Sequence, residues 1–275
     1  MYGLHINSDP NIICNELNKY KNLKCIQMFI NITDKYGKEY EKFKNIAKEN
    51  KQNIIIHLSY TINTAQTWSE YSWWITQCIM EIKKAHQIGA KYVVLHLGKS
   101  LDLDINVALN NMYSSLLYIS NKLKEIPIKI LLETSSGQGS EMCIKINELA
   151  KFINKLLQNK NKHISEKFGI CIDTCHIFNA GYNLSNSKDV TDYLNEFDKF
   201  IGIKNIKLIH LNNSKTEFDS RLDRHDNLEY GKIKIDGIMQ IIKFAKKLEI
   251  PLILETPDTH IEDDIKFIGN IYNVL

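Results

Sequence analysis

Eight short runs of apolar, largely β-branched residues recur along the chain, and between them the apolar residues change to helical spacing. The runs are Tyr2–Ile6, Cys25–Phe29, Ile54–His57, Tyr92–His96, Ile128–Glu133, Phe168–Asp173, Ile206–His210 and Leu252–Glu255. Trp74, Cys78, Ile79, Ile82 and Ala85 share one helical face before Gly89, a residue suited to end a helix. Ile105, Leu109, Met112, Leu116 and Leu123 form a second face, and Ile146, Leu149, Ile153 and Leu156 a third. Ile238, Ile241, Ile242, Ala245 and Leu248 form the last, ahead of Pro251. Strands alternating with helices require parallel pairing through right-handed crossovers. A length of 275 residues suits a closed barrel, which needs about 250. An open doubly wound sheet competes, but no Gly-x-Gly-x-x-Gly follows the first run. The expected fold class is therefore α/β, a (β/α)8 TIM barrel of parallel strands with its active site at the carboxyl-terminal rim. Without repeats, low-complexity segments or linkers, residues 1–275 read as a single domain, and the Lys155–Lys162 stretch as a solvated helix end.

Composition narrows the function only slightly. A hydrophobic fraction of 44% with 24% charged residues belongs to a soluble globular protein. A net charge of +3 permits a nucleic-acid partner without demanding one. The start carries no secretory pattern, and no apolar run approaches the ~18 residues of a membrane span. Six scattered cysteines without C-x-x-C spacing read as reduced, mostly buried thiols, Cys171 and Cys175 included. The expectation is a cytoplasmic or otherwise intracellular protein, with a nuclear or viral-factory location left open. No apolar stripe suggests an interface, so a monomer is expected.

Position is the strongest clue to chemistry. His57, His96, Glu133, Asp173, His210 and Glu255 each lie at the carboxyl end of a separate run. In a parallel barrel those ends face one rim, where such folds place their chemistry. A lone histidine there is more often a packed residue than a ligand. Six metal-capable residues are another matter, because imidazoles and carboxylates buried so closely repel or stay unsatisfied without cations between them. Asp173 and His176 are three residues apart, enough to reach neighbouring metals from one turn. Asp223 and His225 point the same way in an extended segment. Alone that pair reads as a charged loop; beside the other donors it reads as metal binding. Five histidines and four carboxylates without thiolate suit Zn²⁺ in open sites. Three Zn²⁺ bring about +6 against −4, leaving room for one hydroxide and one phosphodiester anion. His5 faces the same rim, where a supporting, DNA-contact or packing role stays open, and His86, His163 and His260 fall outside the set.

Seven segments resemble the endonuclease IV family of apurinic/apyrimidinic endonucleases in order and wording. They are His57-Leu-Ser-Tyr-Thr-Ile-Asn63, Val94-Leu-His-Leu-Gly98, Leu132-Glu-Thr-Ser-Ser-Gly-Gln-Gly139, and Cys171-Ile-Asp-Thr-Cys-His176 running on to Ala180-Gly-Tyr182. His210-Leu-Asn-Asn-Ser-Lys215, Ser220-Arg-Leu-Asp-Arg-His225 and Leu252-Ile-Leu-Glu-Thr-Pro257 complete the series. The resemblance implies a zinc-dependent hydrolase of deoxyribonuclease IV type (the phage-T4-induced-like class) with three Zn²⁺ per chain. It implies cleavage 5′ to an abasic site in double-stranded DNA during base excision repair, leaving 3′-hydroxyl and 5′-deoxyribose phosphate ends, together with removal of 3′-blocking groups. Carried over by motif, His57, His96 and Glu133 hold one zinc. Glu133 bridges to a second held by Asp173, His210 and Glu255, and His176, Asp223 and His225 hold the third. Glu133 and Glu255 are the catalytic carboxylates, with Glu255 orienting the nucleophile.

For DNA binding the resemblance points to Tyr60 and Thr61, where the family inserts side chains at the lesion. Thr61 departs from the leucine common there, and the Ile30–Asp34 loop lacks the family's usual basic, intercalating residue. Lys215, Arg221, Arg224 and Gln138 in its glycine-flanked turn are candidate phosphate contacts. Two other readings stay open: a metal-dependent sugar isomerase of related barrel type, which the extra His176/Asp223/His225 set argues against, and a non-catalytic barrel that only binds DNA or a partner.

Overall fold

The computed structural model describes residues 1–274, so the last residue of the expected 1–275 domain lies outside the described residues, as does the Asp34 side chain of the 30–34 loop. The strands are β1 (Tyr2–His5), β2 (Cys25–Met28), β3 (Asn53–His57), β4 (Tyr92–His96), β5 (Lys129–Glu133), β6 (Phe168–Asp173), β7 (Ile206–His210), β8 (Asn213–Ser214), β9 (His225–Asp226) and β10 (Leu252–Leu254). The hydrogen-bonded order β1-β10-β7-β6-β5-β4-β3-β2 closes into a barrel, while β8 and β9 form a separate antiparallel ribbon. The helices are α1 (Ile13–Lys19), α2 (Gly37–Glu49), α3 (Trp73–Gln87), α4 (Ile105–Lys122), α5 (Ile146–Leu157), α6 (Lys162–Lys167), α7 (Thr174–Asn179), α8 (Ser187–Phe200), α9 (Ile235–Lys247) and α10 (Ile261–Val274). The eight expected strands match the barrel strands to within about a residue at each end. The short α6, α7 and the ribbon were not foreseen.

Parallel register fixes which residues end each strand: Ile26 pairs with Ile54, Ile56 with Val93, and Asp173 with His210. The described residues cluster into two compact units. One comprises Met1–Gly3, Glu133–Asn154 and the chain from Ile170 onward; the other comprises Leu4–Leu132 and Lys155–Gly169.

In the second unit α3 buries Trp74, Cys78, Ile82 and Ala85 as its spacing predicted, with Ile75 buried in addition and Ile79 only half-buried, and Gly89 follows at φ +88°. That left-handed conformation costs glycine little, which is why the helix ends there. Helix α4 buries Ala108, Met112, Leu116 and Ile119, and the Asp104 carboxylate accepts from the amides of Asn106 (2.9 Å) and Val107 (3.3 Å) at its start. Lys155, Lys160 and Lys162 are exposed, as a solvated helix end requires.

In the first unit α9 buries Ile238, Ile241, Ile242 and Ala245. Gly237 opens that face because the segment carrying Leu184 crosses it closely: a Cβ there would lie 1.6 Å from the Leu184 carbonyl oxygen. Backbone cannot yield as a flexible side chain does. Gly237→Ala is therefore expected to destabilise by about 1–3 kcal/mol, the usual cost of overpacking, read as a melting temperature lower by several degrees. An unchanged melting temperature would mean that this crossing is loose.

Candidate metal centre

His57, His96, Glu133, Asp173 and His210 are the last residues of β3 to β7, and Glu255 directly follows β10. In a closed parallel barrel these ends belong to one rim.

The first unit holds a dense group of donors. Glu133, Asp173, His210 and Glu255 offer atoms within 4.8 Å of one another. His210 Nδ1 lies 2.9 Å from Glu133 Oε1, 3.1 Å from Glu255 Oε2 and 3.8 Å from Asp173 Oδ2. Glu133, Asp173 and His210 are buried. A second group, His176, Asp223 and His225, sits beside it. There the Asp223 carboxylate spans two imidazoles, Oδ2 at 3.1 Å from His176 Nε2 and Oδ1 at 3.2 Å from His225 Nε2. The two groups adjoin through Asp173, whose Oδ2 is 3.6 Å from His225 Nε2.

Local structure aims these side chains. Asp173 ends β6 and caps α7, its Oδ1 accepting from the His176 amide at 2.8 Å, so strand and helix turn together. His176 Nδ1 lies 2.7 Å from the Thr134 carbonyl and His225 Nδ1 lies 3.2 Å from the Glu255 carbonyl. A carbonyl only accepts, so each Nδ1 carries a proton, and Nε2 is the atom that faces Asp223 and can ligate a metal once its own proton is lost. Asn212 ties two acids together: its Nδ2 donates to Asp173 Oδ2 (2.6 Å) and Glu255 Oε2 (3.3 Å), while its Oδ1 accepts from the Glu255 amide (2.8 Å). Thr174 Oγ1 donates to the Asn212 carbonyl at 2.6 Å, fixing the turn after β7.

In the second unit the rings of His57 and His96 are 5.0 Å apart. His57 Nδ1 lies 2.8 Å from the Leu58 carbonyl, which again frees Nε2 as the donor atom. Tyr60, 65% exposed, closes over them with its ring centroid 5.1 Å from His57 and 5.2 Å from His96. Phe29 stands 5.0 Å from Tyr60, and the His5 ring lies tilted 4.8 Å from Phe29 with its Nδ1 3.1 Å from Gln27 Nε2. Thr61 is exposed, its hydroxyl 2.8 Å from Ser59 Oγ. A cleft of about 310 Å³ runs alongside, lined by Phe29, Ile30, Ser59, Tyr60, Thr61 and Gln77, together with the buried Glu81.

The other expected DNA contacts divide into two kinds. Lys215 is exposed. Arg221 pairs with Asp219 at 2.9 Å, and Gln138 is engaged in bracing: its Oε1 accepts from the Asp223 amide (3.2 Å) and from Arg224 Nη1 (3.1 Å). Glu141 Oε2 in turn accepts from the amides of Gly137 and Gln138, both at 3.0 Å. Cys175 offers its sulfur to Asp173 and His225, but burial pushes its thiol up to about 12, so it behaves as a packed thiol. Asn212, Thr134, Thr174 and Asn179 were missed by sequence reasoning, since neutral amides and hydroxyls behind the donors have no charge or spacing signature.

The titratable groups of the two clusters shift one another strongly. Burial raises the Asp173 carboxyl against the pull of His176 and His225. Burial pulls the His225 imidazole down, but Asp173, Asp223 and Glu255 outweigh it and raise it to about 9. Burial also pulls His176 and His210 down, but Asp173, Asp223 and Glu133 raise the first, and Cys171, Glu255 and Glu133 the second, well above the usual imidazole value. Asp223 is held well below the usual carboxylate range by His176 and His225, which overcome its own burial. The donor chemistry fits divalent metal: anionic oxygens and lone-pair nitrogens converge, and cations would displace the shared protons. Imidazoles raised in the fold contribute stability fully below their ordinary 6.5 and lose it as pH climbs through about 9. Asp223 is ionised throughout that window and adds no slope. Chelator-treated protein is therefore expected to lose melting temperature between pH 6.5 and 9, and metal-loaded protein to lose less. A chelated protein whose melting temperature rises across that range would contradict this charge arrangement.

Residues 18–271 match the family model described as xylose isomerase-like TIM barrel. The chain is 40% identical over 210 residues to a probable endonuclease 4 from Malacoplasma penetrans (strain HF-2), covering 75% of this chain and 68% of that relative. Endonuclease IV from Thermus thermophilus superposes with a TM-score of 0.78 at 22% identity, covering 100% of this chain and 99% of that one. A D-tagatose 3-epimerase-like protein superposes at 0.73 with 15% identity, covering 99% and 97%. Likeness at such identity shows the fold alone, and sugar-converting and nuclease relatives share it. Sequence decides between them: the chain belongs to the endonuclease 4 family.

Proposed function

We propose that this chain is a zinc-dependent apurinic/apyrimidinic endonuclease, acting as an intracellular monomer and as one catalytic domain. It would hydrolyse the phosphodiester 5′ to an abasic site in double-stranded DNA during base excision repair, leaving a 3′-hydroxyl and a 5′-deoxyribose phosphate. Removal of 3′-blocking groups from the same kind of DNA end belongs to the same reading. The observation that carries it is the convergence of Glu133, Asp173, His210 and Glu255 beside the His176–Asp223–His225 group. An isomerase acting on a small neutral sugar has no evident use for so many donors.

In this reading Glu133, Asp173, His210 and Glu255 would hold one zinc, and His176, Asp223 and His225 a second. His57, His96 and Glu133 would hold a third. Bound zinc supplies acidified water, with a pKa near ~7, and positive charge for an anionic phosphate. The chain's own groups do the rest. Glu255 Oε2, held by Asn212 and His210, is an acceptor placed to orient the attacking water. Asp173 is fixed by two hydrogen bonds and so keeps its donors aimed without reorganisation. Tyr60 offers an exposed aromatic face to the gap left by a missing base, where extruding the nucleotide costs least. Lys215 and Arg224 supply cations to the flanking phosphates, and Thr61 and Arg221 complete the DNA-facing loops.

Incubation with a duplex carrying one tetrahydrofuran abasic analogue in zinc buffer tests the reading. A single incision 5′ to the analogue, with intact duplex untouched, is expected. No incision, with turnover of a ketose or aldose instead, would overturn it in favour of an isomerase.

A further inference from the structure

Asn179, at the end of α7, is a fully buried amide whose partners come mainly from the segments that lead to Asp223 and His225. Hydroxyls of Ser214, Thr216 and Ser220 converge on its Oδ1 at 3.1, 3.2 and 3.1 Å. Its Nδ2 donates to the Leu222 carbonyl at 2.7 Å and lies 3.2 Å from Cys175 Sγ. Its own carbonyl accepts from the Arg221 amide at 3.1 Å, and the preceding Phe178 carbonyl from the Asp219 amide at 3.3 Å. The hydroxyls also link to one another: Ser220 Oγ lies 2.9 Å from Thr216 Oγ1, and Thr216 Oγ1 3.1 Å from the Leu222 carbonyl.

This density has a purpose in the local geometry. Between Thr216 and Asp223 the chain has no helix or strand to hold it. Asp219 and Arg221 adopt φ of +58° and +59°, a region L side chains rarely occupy. Such a loop keeps one shape only if outside contacts over-determine it. Asn179 makes those contacts from α7, whose second turn it closes three residues after His176. One end of that short helix therefore supplies a donor of the His176–Asp223–His225 group, and the other end fixes the loop that delivers the remaining two.

We infer that Asn179 is a positioning residue for that three-donor group, setting its affinity for a divalent cation separately from the Glu133–Asp173–His210–Glu255 group. This rests on the metal-dependent reading above. The amide touches none of the three donors and would act only by holding Leu222, and hence Asp223, in register. Groups hydrogen-bonded directly to metal ligands commonly change affinity by ~10–100-fold, which sets an upper bound for a residue that acts through Leu222.

The test is metal content by mass spectrometry after dialysis against a weak chelator, on wild type, Asn179→Ala and Ser220→Ala, alongside melting temperature. Wild type is expected to keep its full complement. Asn179→Ala should lose about one metal per chain and hold the rest, and Ser220→Ala should lose the same metal at higher chelator concentration. Restoring full content with excess zinc should recover abasic-site incision in Asn179→Ala. Equal metal content in all three proteins would overturn the inference and leave the metal-dependent reading standing. Wild type that binds no metal would overturn the reading itself. If Asn179→Ala does not fold, Ser220→Ala decides: retention identical to wild type at every chelator concentration counts against the inference.

Discussion

Glu255→Gln is expected to slow abasic-site incision by at least ~10²-fold while leaving DNA binding close to wild type. Glutamine keeps the shape and can still accept a hydrogen bond, so the 2.8 Å bond between the residue 255 amide and Asn212 Oδ1 should survive. What disappears is the negative charge at Oε2, 3.1 Å from His210 Nδ1. That charge is one of four carboxylates balancing the proposed cations, and the only one of the four-donor group with a partly exposed side chain, at 11%. A group both anchored and open to the rim suits a role in orienting water. Single-turnover rates with an abasic duplex, set beside a gel-shift titration, separate the two effects. Turnover close to that of wild type would remove Glu255 from the reaction.

Metal removal should have the larger effect. Chelated protein is expected to show no incision above background, and zinc to restore it. Buried carboxylates facing one another are costly without neutralising charge. The imidazoles hold protons in part of that role, which is why His176 and His210 are raised despite burial. Protons can balance charge but cannot acidify water or stabilise a departing alkoxide. Incision persisting undiminished in strong chelator would contradict a metal-assisted reaction.

Much of this is legible in the amino-acid sequence. Strand runs such as Tyr92–His96 and Phe168–Asp173 stand out because barrel strands buried on both faces read as continuous apolar segments. Their last residues stand out because polar side chains at the ends of such runs break the pattern abruptly. The spacing of Asp223 and His225 pointed both side chains one way, and in the structure both face His176 or its neighbours across one carboxylate. Less could be read of what holds these groups. Helix α7 has only six residues, too few for a 3.6-residue period to show, and its start depends on the Asp173 cap. Asn212 and Asn179 are neutral, and their roles exist only through distant partners: Asp173 lies 39 residues from the first and Leu222 lies 43 from the second. Gln138 is expected to meet phosphate, and the structure adds a role that its sequence context does not signal: its Oε1 accepts from the Asp223 amide and from Arg224, bracing the donor loop.

Zinc anomalous scattering from crystals of the purified protein, combined with its metal content in solution, addresses the central claim most directly. Close to three zinc per chain is predicted, with peaks among His57/His96/Glu133, Glu133/Asp173/His210/Glu255 and His176/Asp223/His225. Fewer than one metal per chain in protein that still cuts abasic DNA would contradict it.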